Sequence, residues 1–262
     1  MKDRRSYLGI FYAIFLILFV ILPLLVVAYY ALVDSNGNFT LENFENFFTN
    51  GKAWGTLVYS LIVACCTTGV ALLIAYPTAY ILARSGIKRS RIILILLVMP
   101  MWINFTLRIT ALKEILSAIE GNLAYYAFFN TILCQVYDFL PFMIMPIFTC
   151  ISGIDWSYVE AARDLGADRK TAFFQVVLPL SKPGIASGIT MVFLPAMTNY
   201  VVLDMIYNST YIMGSLIGSY FSAFDWNNGS MISIILLIFI LLGSWGSNKI
   251  SDTDAEMRKE AA

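Results

Sequence analysis

Glu160-Ala161-Ala162, Gly166 after three intervening residues, and Val176-Val177-Leu178-Pro179 form a polar interruption between two long apolar stretches, 121–154 and 183–224. Ser157 with Glu160 is an S-x-x-E pattern, which predicts a capping box opening a helix at Ser157. Gly166 suits the C-terminal cap of that helix. A second helix is expected from Asp168 through Val177, stopping before Pro179. The segment therefore reads as a helix-turn-helix held outside the membrane. On capping alone, Glu160 is a cap and Gly166 a turn residue. The paired alanines add something else, because small side chains on a short helix let another surface approach closely. A capped, rigid helix satisfies both readings.

The flanking composition decides the fold class. Hydrophobic residues make up 59% of the 262 and charged residues 13%, a balance that a soluble domain of this length does not hide. A bilayer core needs about 20 apolar residues per helix. Leu8 to Val33, Thr56 to Ala83, and Trp226 to Asn248 carry no charge; Ile92 to Leu107 is clean up to Arg108. Asp138 alone interrupts 121–154, and Asp204 alone interrupts 183–224. The predicted fold is an all-α integral membrane domain spanning 1–262, with spans near 8–33, 56–83, 92–112, 127–151, 183–206 and 229–248 and a polar loop over 152–182. The first apolar run follows Lys2, Arg4 and Arg5, exceeds a signal-peptide core and lacks a small-x-small cleavage site, so it is expected to remain as a helix.

Charge placement gives the orientation. With both termini inside, only Lys52, Arg108 and Lys113 of the 17 Lys and Arg residues fall outside, and short basic loops stay cytoplasmic. The 152–182 loop is then cytoplasmic and the protein a multi-pass component of a plasma membrane. Net charge is zero, which points away from nucleic acid. The chain has no histidine, excluding Ser-His-Asp, Cys-His and HExxH chemistry; GxSxG and the GxxxxGK[ST] phosphate loop are also absent. No catalytic residue, metal site or cofactor is expected on this chain, and any ATP work belongs to another. Cys65, Cys66, Cys134 and Cys150 lie in or beside spans without metal spacing and read as buried thiols.

Smaller features decorate the spans. Asp34-Ser-Asn-Gly-Asn38 has turn composition, after which Thr40 can cap a short helix with Phe44, Phe47 and Phe48 on one face. Prolines at 23, 77, 100, 141, 146 and 195 fall inside apolar runs, predicting kinked helices. Gly184/Gly188 and Gly214/Gly218 have the GxxxG spacing that brings helix backbones together. Helix packing is the expected role of the first pair; the second pair can lie in an outer loop.

The Glu160–Pro179 pattern resembles the EAA loop of ABC-importer permeases. In that family the loop's first helix docks on a nucleotide-binding subunit and passes its closure to the membrane helices. The resemblance implies coupling roles for Glu160, Ala161, Ala162, Gly166, Leu178 and Pro179. Pro100-Met-Trp-Ile-Asn-Phe-Thr-Leu-Arg108, Leu140-Pro-Phe-Met-Ile-Met-Pro146, Leu194-Pro-Ala-Met197 with Asp204, and the 160–167 run resemble, more narrowly, the B-type permeases of bacterial spermidine/putrescine importers. What this implies is a six-helix type I importer permease in a bacterial inner membrane. It implies a second homologous permease beside it, as a heterodimer, and an ATPase dimer holding ATP and magnesium. It also implies an extracellular or periplasmic polyamine-binding protein.

Substrate chemistry bears on the narrower resemblance independently. A polyamine carries several ammonium groups, so its path needs isolated carboxylates and aromatic faces. Asp204 and Asp138 are the two acids stranded in apolar segments; Asp138 can instead cap a broken helix or pair with Arg108. Trp102, Tyr137, Tyr200 and Tyr207 are candidate cation–π or gating groups, or else packing residues, and Asn104 follows Trp102 toward the outer side. Arg108 suits a structural counter-ion or docking contact better than a polycation path. The competing readings are a permease for thiamine, ferric iron or a phosphonate, and, outside this class, an ion-coupled secondary transporter, for which the Glu160–Pro179 pattern has no use.

Overall fold

The computed structural model describes residues 10–34, 37–49, 51–84, 90–206 and 212–260. Tyr207 and the basic residues Lys2, Arg4, Arg5, Lys88 and Arg89 lie outside them. In chain order the helices are α1 (Ile10–Ala31), α2 (Glu42–Thr49), α3 (Gly51–Arg84), α4 (Ser90–Trp102) and α5 (Phe105–Glu120). They continue with α6 (Ala127–Ser152), α7 (Ser157–Asp164), α8 (Arg169–Thr198), α9 (Tyr200–Ile206), α10 (Met213–Ser222) and α11 (Trp226–Glu260). Among the described residues five helices are long and apolar enough to cross a membrane, or six if the bent pair α4–α5 counts as one span. The only extended pairing described is a single antiparallel bridge between Val33 and Phe39. The fold is therefore all-α and membrane-spanning.

The chain divides into two compact units, one of residues 1–58 with 213–239 and the other of 59–212 with 240–262. In the first, the Asp34 carboxylate accepts from Asn38 N at 2.8 Å and Gly37 takes φ +86°, making the turn that the composition predicts. Thr40 Oγ1 accepts from Glu42 N at 3.1 Å and so caps α2. The phenylalanine face is split, with Phe47 buried and Phe48 exposed. Asn43 and Asn227 both donate side-chain N–H groups to Val33 O, fastening the turn. Gly218 on α10 has open space where a Cβ would point, so the Gly214/Gly218 spacing makes no close approach there.

The second unit is built on α6 against α8. A Cβ on Gly184 would stand 2.5 Å from Cys150 Cβ and 2.9 Å from Pro146 O, and one on Gly188 would stand 2.7 Å from Met143 Sδ. Only hydrogen fits at Gly184, which is how the first GxxxG pair lets these backbones meet. Ile109, Leu116, Leu123, Cys134, Val202 and Ile206 form a second apolar cluster joining α5, α6 and α9. The four cysteines are free thiols, Cys134 buried and Cys65 exposed.

The helices depart from expectation at three places, each at an identifiable residue. The expected 92–112 span is a pair bent by 94°. Around Pro100 the chain tightens to a 3₁₀ turn over Met99–Trp102, Ile103 is extended, and Asn104 Oδ1 restarts a helix by accepting from Thr106 N at 3.0 Å and Leu107 N at 3.4 Å. The expected stop before Pro179 does not occur, because Phe173–Val177 widens to a π turn in which Leu178 N–H reaches Phe173 O. Shifting to i→i+5 bonding relieves the crowding between a proline ring and the preceding turn. The same device, Ile17–Ile21 ahead of Leu22-Pro23, carries α1 past its proline. Finally, 183–206 is not one helix: α8 ends at Thr198 and α9 begins at Tyr200. Ala196 O, an orphan at that break, accepts from Gln135 Nε2 at 3.3 Å, while Gln135 Oε1 accepts from Thr67 Oγ1 at 2.9 Å.

Candidate functional site

The polar loop folds as a helical hairpin around a small core of its own. Val159 of α7 and Ala172 and Val177 of α8 are buried together, with Tyr80, Ile154, Trp156 and Phe173 packed on them. Burial of each valine is worth roughly 1.5–3 kcal/mol, which steadies an eight-residue helix that would be marginal alone. Two aromatic links tie this core to the end of α3. The Tyr80 and Phe173 rings meet edge-on with centroids 5.3 Å apart, and the Arg84 guanidinium lies 4.5 Å over Trp156. Deeper, Tyr76 and Ser181 hydroxyls are 2.9 Å apart.

The caps differ from the expected ones. No side chain of Trp156 or Ser157 caps α7; Asp155 Oδ1 accepts from Ser157 N at 3.0 Å instead. Glu160 thus has no capping duty and stands exposed. The Asp-x-Ser order was the signal for this turn, and it outweighs the S-x-x-E pattern because the carboxylate reaches the first orphan N–H. At the other end Ala167 N bonds to Ala162 O and Gly166 N to Arg163 O, with Gly166 at φ +91°. That is a Schellman turn, and it requires the glycine. Asp168 then caps α8, its Oδ1 accepting from Thr171 N at 2.8 Å. The bonds from Ser157 and Thr171 hold the Asp155 and Asp168 carboxyls below the ordinary carboxylate range.

With Val159 facing inward, α7 turns Tyr158, Ala161 and Leu165 outward along one face at i, i+3 and i+7. Leu165 is 90% exposed and Tyr158 60%. Neither was singled out from the sequence, although the helical spacing was there to find. Ala162 is half-buried between this face and the hairpin core, while Leu178 and Pro179 sit half-buried after the π turn in α8. They are part of the stem, not of the exposed face.

The candidate pathway residues are dispersed. Arg108 of α5 and Asp138 of α6 pair, both buried, and the Arg108 guanidinium lies 6.0 Å from the Tyr137 ring centre. Asp204 is on the short α9, past the break at Asn199; Val202, Leu203 and Ile206 face the core, while Asp204 and Tyr200, one turn apart, are exposed. Asp204 makes no ion pair or hydrogen bond among the described residues. Trp102 is 74% exposed at the α4–α5 corner, and the Asn104 side chain is committed to capping α5. Among the described residues no group of three His, Cys, Asp or Glu is placed to hold a metal.

A family model described as the binding-protein-dependent transport system inner membrane component matches residues 75–247. The spermidine/putrescine transport system permease protein PotB of Haemophilus influenzae is 34% identical, over 92% of this chain and 93% of its own. PotB of Escherichia coli is 32% identical, over 92% and 97%. Among solved structures, a bacterial alginate ABC transporter in complex with its pentasaccharide-bound periplasmic protein superposes with a TM-score of 0.69 at 15% identity, covering 95% of this chain and 94% of that one. An inward-facing methionine ABC transporter gives 0.60 at 17% identity, over 76% and 94%.

Proposed function

This chain belongs to the family of binding-protein-dependent transport system inner membrane components, and on that premise we propose that it is a permease subunit of an ATP-driven importer for polyamines. The observation that carries the reading is α7: a short helix clamped at both ends, anchored to α3 and α8, and presenting an unpartnered apolar face with Glu160 beside it. Such a helix transmits force from a docked partner without melting. An ATPase dimer binding ATP and magnesium supplies the force, and a second, homologous permease completes the pathway as a heterodimer. An extracellular or periplasmic binding protein delivers the substrate. The chain then lies in a bacterial plasma membrane with both termini cytoplasmic and the α7 loop on that side. It binds no cofactor and performs no catalysis. The polyamine assignment rests on the PotB relatives and on Asp204 and Tyr200, an exposed carboxylate and an exposed aromatic one turn apart on α9, groups that suit an ammonium.

Reconstitution with an ATPase, a second permease and a binding protein from the same organism tests the proposal. ATP-dependent accumulation of labelled spermidine or putrescine is expected. Uptake of a neutral or anionic solute in its place would overturn the polyamine assignment, and transport without the ATPase would overturn the importer assignment.

A further inference from the structure

At the foot of α3 three arginines converge on one cleft. Arg84, Arg163 and Arg169 line a cavity of about 560 Å³ together with Tyr80 and the apolar Val159, Phe173 and Val177. Among the described residues no carboxylate lines it; Glu160 and Asp164 line a separate cavity that shares only Arg163 with it. Arg163 and Arg169 make no ion pair among the described residues. Arg84 spends the face of its guanidinium on Trp156, which leaves the N–H groups at its edge free to donate in the guanidinium plane.

The depth of this cleft is set by the helices that form it. Arg84 is the last residue of the 34-residue apolar α3, and Arg169 is the first of the 30-residue α8. Arg84 follows Ala83, where the charge-free run of α3 ends, and so stands at the polar edge of that span; Arg163 and Arg169 belong to the polar loop and reach the same cleft from α7 and the start of α8. Ile81, one turn back along α3, is 58% exposed and lines the same cleft, offering an apolar track beside the charges.

We propose that this cleft binds the headgroup phosphate of an anionic phospholipid, with Arg84, Arg163 and Arg169 as phosphate donors and an acyl chain lying along Ile81. Arginine forks match phosphate oxygens, and a basic pocket between spans at the interface is suited to an anionic headgroup. The lipid would brace the coupling hairpin against α3, because the three arginines come from three different helices.

Native mass spectrometry of the full-length protein tests this, after exchange from phosphatidylglycerol or phosphatidylcholine nanodiscs into mild detergent. Phosphatidylglycerol should be retained and phosphatidylcholine lost. In the double variant Arg163→Gln/Arg169→Gln retention should fall about tenfold or more, whereas Arg163→Lys/Arg169→Lys should keep most of it and Lys170→Gln, beside the cleft, should change little. Equal loss with Lys170→Gln would show general surface charge and overturn the site. Undiminished retention in the double Gln variant would do the same. Inorganic phosphate displacing phosphatidylglycerol at millimolar concentration would assign the cleft to a soluble anion instead.

Discussion

Arg108 donates through Nη2 to Asp138 Oδ1 with both side chains sealed from solvent, while Nε and Nη1 of the same guanidinium are buried without a hydrogen-bond partner. Each charge therefore depends on the other inside the α5–α6 contact. Asp138→Asn should destabilise the protein by about 3–5 kcal/mol, because it leaves a buried cation uncompensated. Arg108→Met/Asp138→Leu should recover much of that loss. Thermal unfolding in detergent, followed by size-exclusion chromatography, measures both. A stable Asp138→Asn protein defective only in uptake would place Asp138 on the substrate path instead of in the scaffold.

The glycine pair on α8 predicts an order of severity. Gly184→Ala meets the backbone oxygen of Pro146 as well as Cys150 and should cost about 1–3 kcal/mol. Gly188→Ala meets chiefly the flexible end of Met143 and should be milder. Gly69→Ala, with open space around it in α3, should be neutral or stabilising by up to ~1 kcal/mol. The same thermal assay ranks the three.

Because Glu160 caps nothing, its substitution separates docking from folding. Glu160→Ala should leave α7 protected against hydrogen exchange yet lower the amount of ATPase that copurifies. Asp155→Ala should fray the helix without removing a docking group. Gly166→Val forces a β-branched residue to φ +91°, costing roughly 1–2 kcal/mol locally, and should leave ATP hydrolysis running without transport. Full transport by both Glu160→Ala and Gly166→Val would remove α7 from the coupling path.

Asp204→Asn keeps the side-chain shape and deletes the charge on an exposed face of α9. Polyamine uptake by the assembled importer should drop about tenfold or more, ~1.4 kcal/mol in binding terms, with assembly unchanged. Tyr200→Leu should reduce it less, by about 0.5–2 kcal/mol if the ring faces the ammonium. Trp102→Leu at the α4–α5 corner belongs to the same series of uptake assays. Normal uptake in the Asp204 variant would take that carboxylate out of the pathway.

The caps on the hairpin give it an acid limit. The Asp155 and Asp168 carboxyls are held below their ordinary range by bonds made only in the folded state. Their contribution is present above the unfolded carboxylate range near pH 4 and is lost as pH falls through the lower folded values. Protection of the Thr171 amide, corrected for the intrinsic exchange rate, should therefore decline below about pH 4. In Asp168→Ala it should be low at every pH, and Asp168→Asn, which can still accept the bond, should remove the pH dependence.

The residues at 155–183 announced a hairpin, and apolar run lengths announced the spans, because capping, glycine turns and burial in lipid act over a few neighbouring residues. Gly166 at positive φ and a helix starting near Asp168 were legible for that reason, and the Gly184/Gly188 spacing marked a close approach without naming the helix it would meet. Where two local signals competed, tertiary geometry chose between them. Asp155 displaced the Ser157–Glu160 box, the π turn carried α8 through Pro179, and Asn104 turned one expected span into two helices at 94°. The linear pattern did not fix which partners the long-range contacts would take. The sequence offered pairing with Arg108 as one of several roles for Asp138, and nothing in it says that Gln135 will satisfy Ala196 O or that arginines 84, 163 and 169 will line one cleft. Each depends on which faces of distant helices meet, and that is set by packing the whole set of side chains at once.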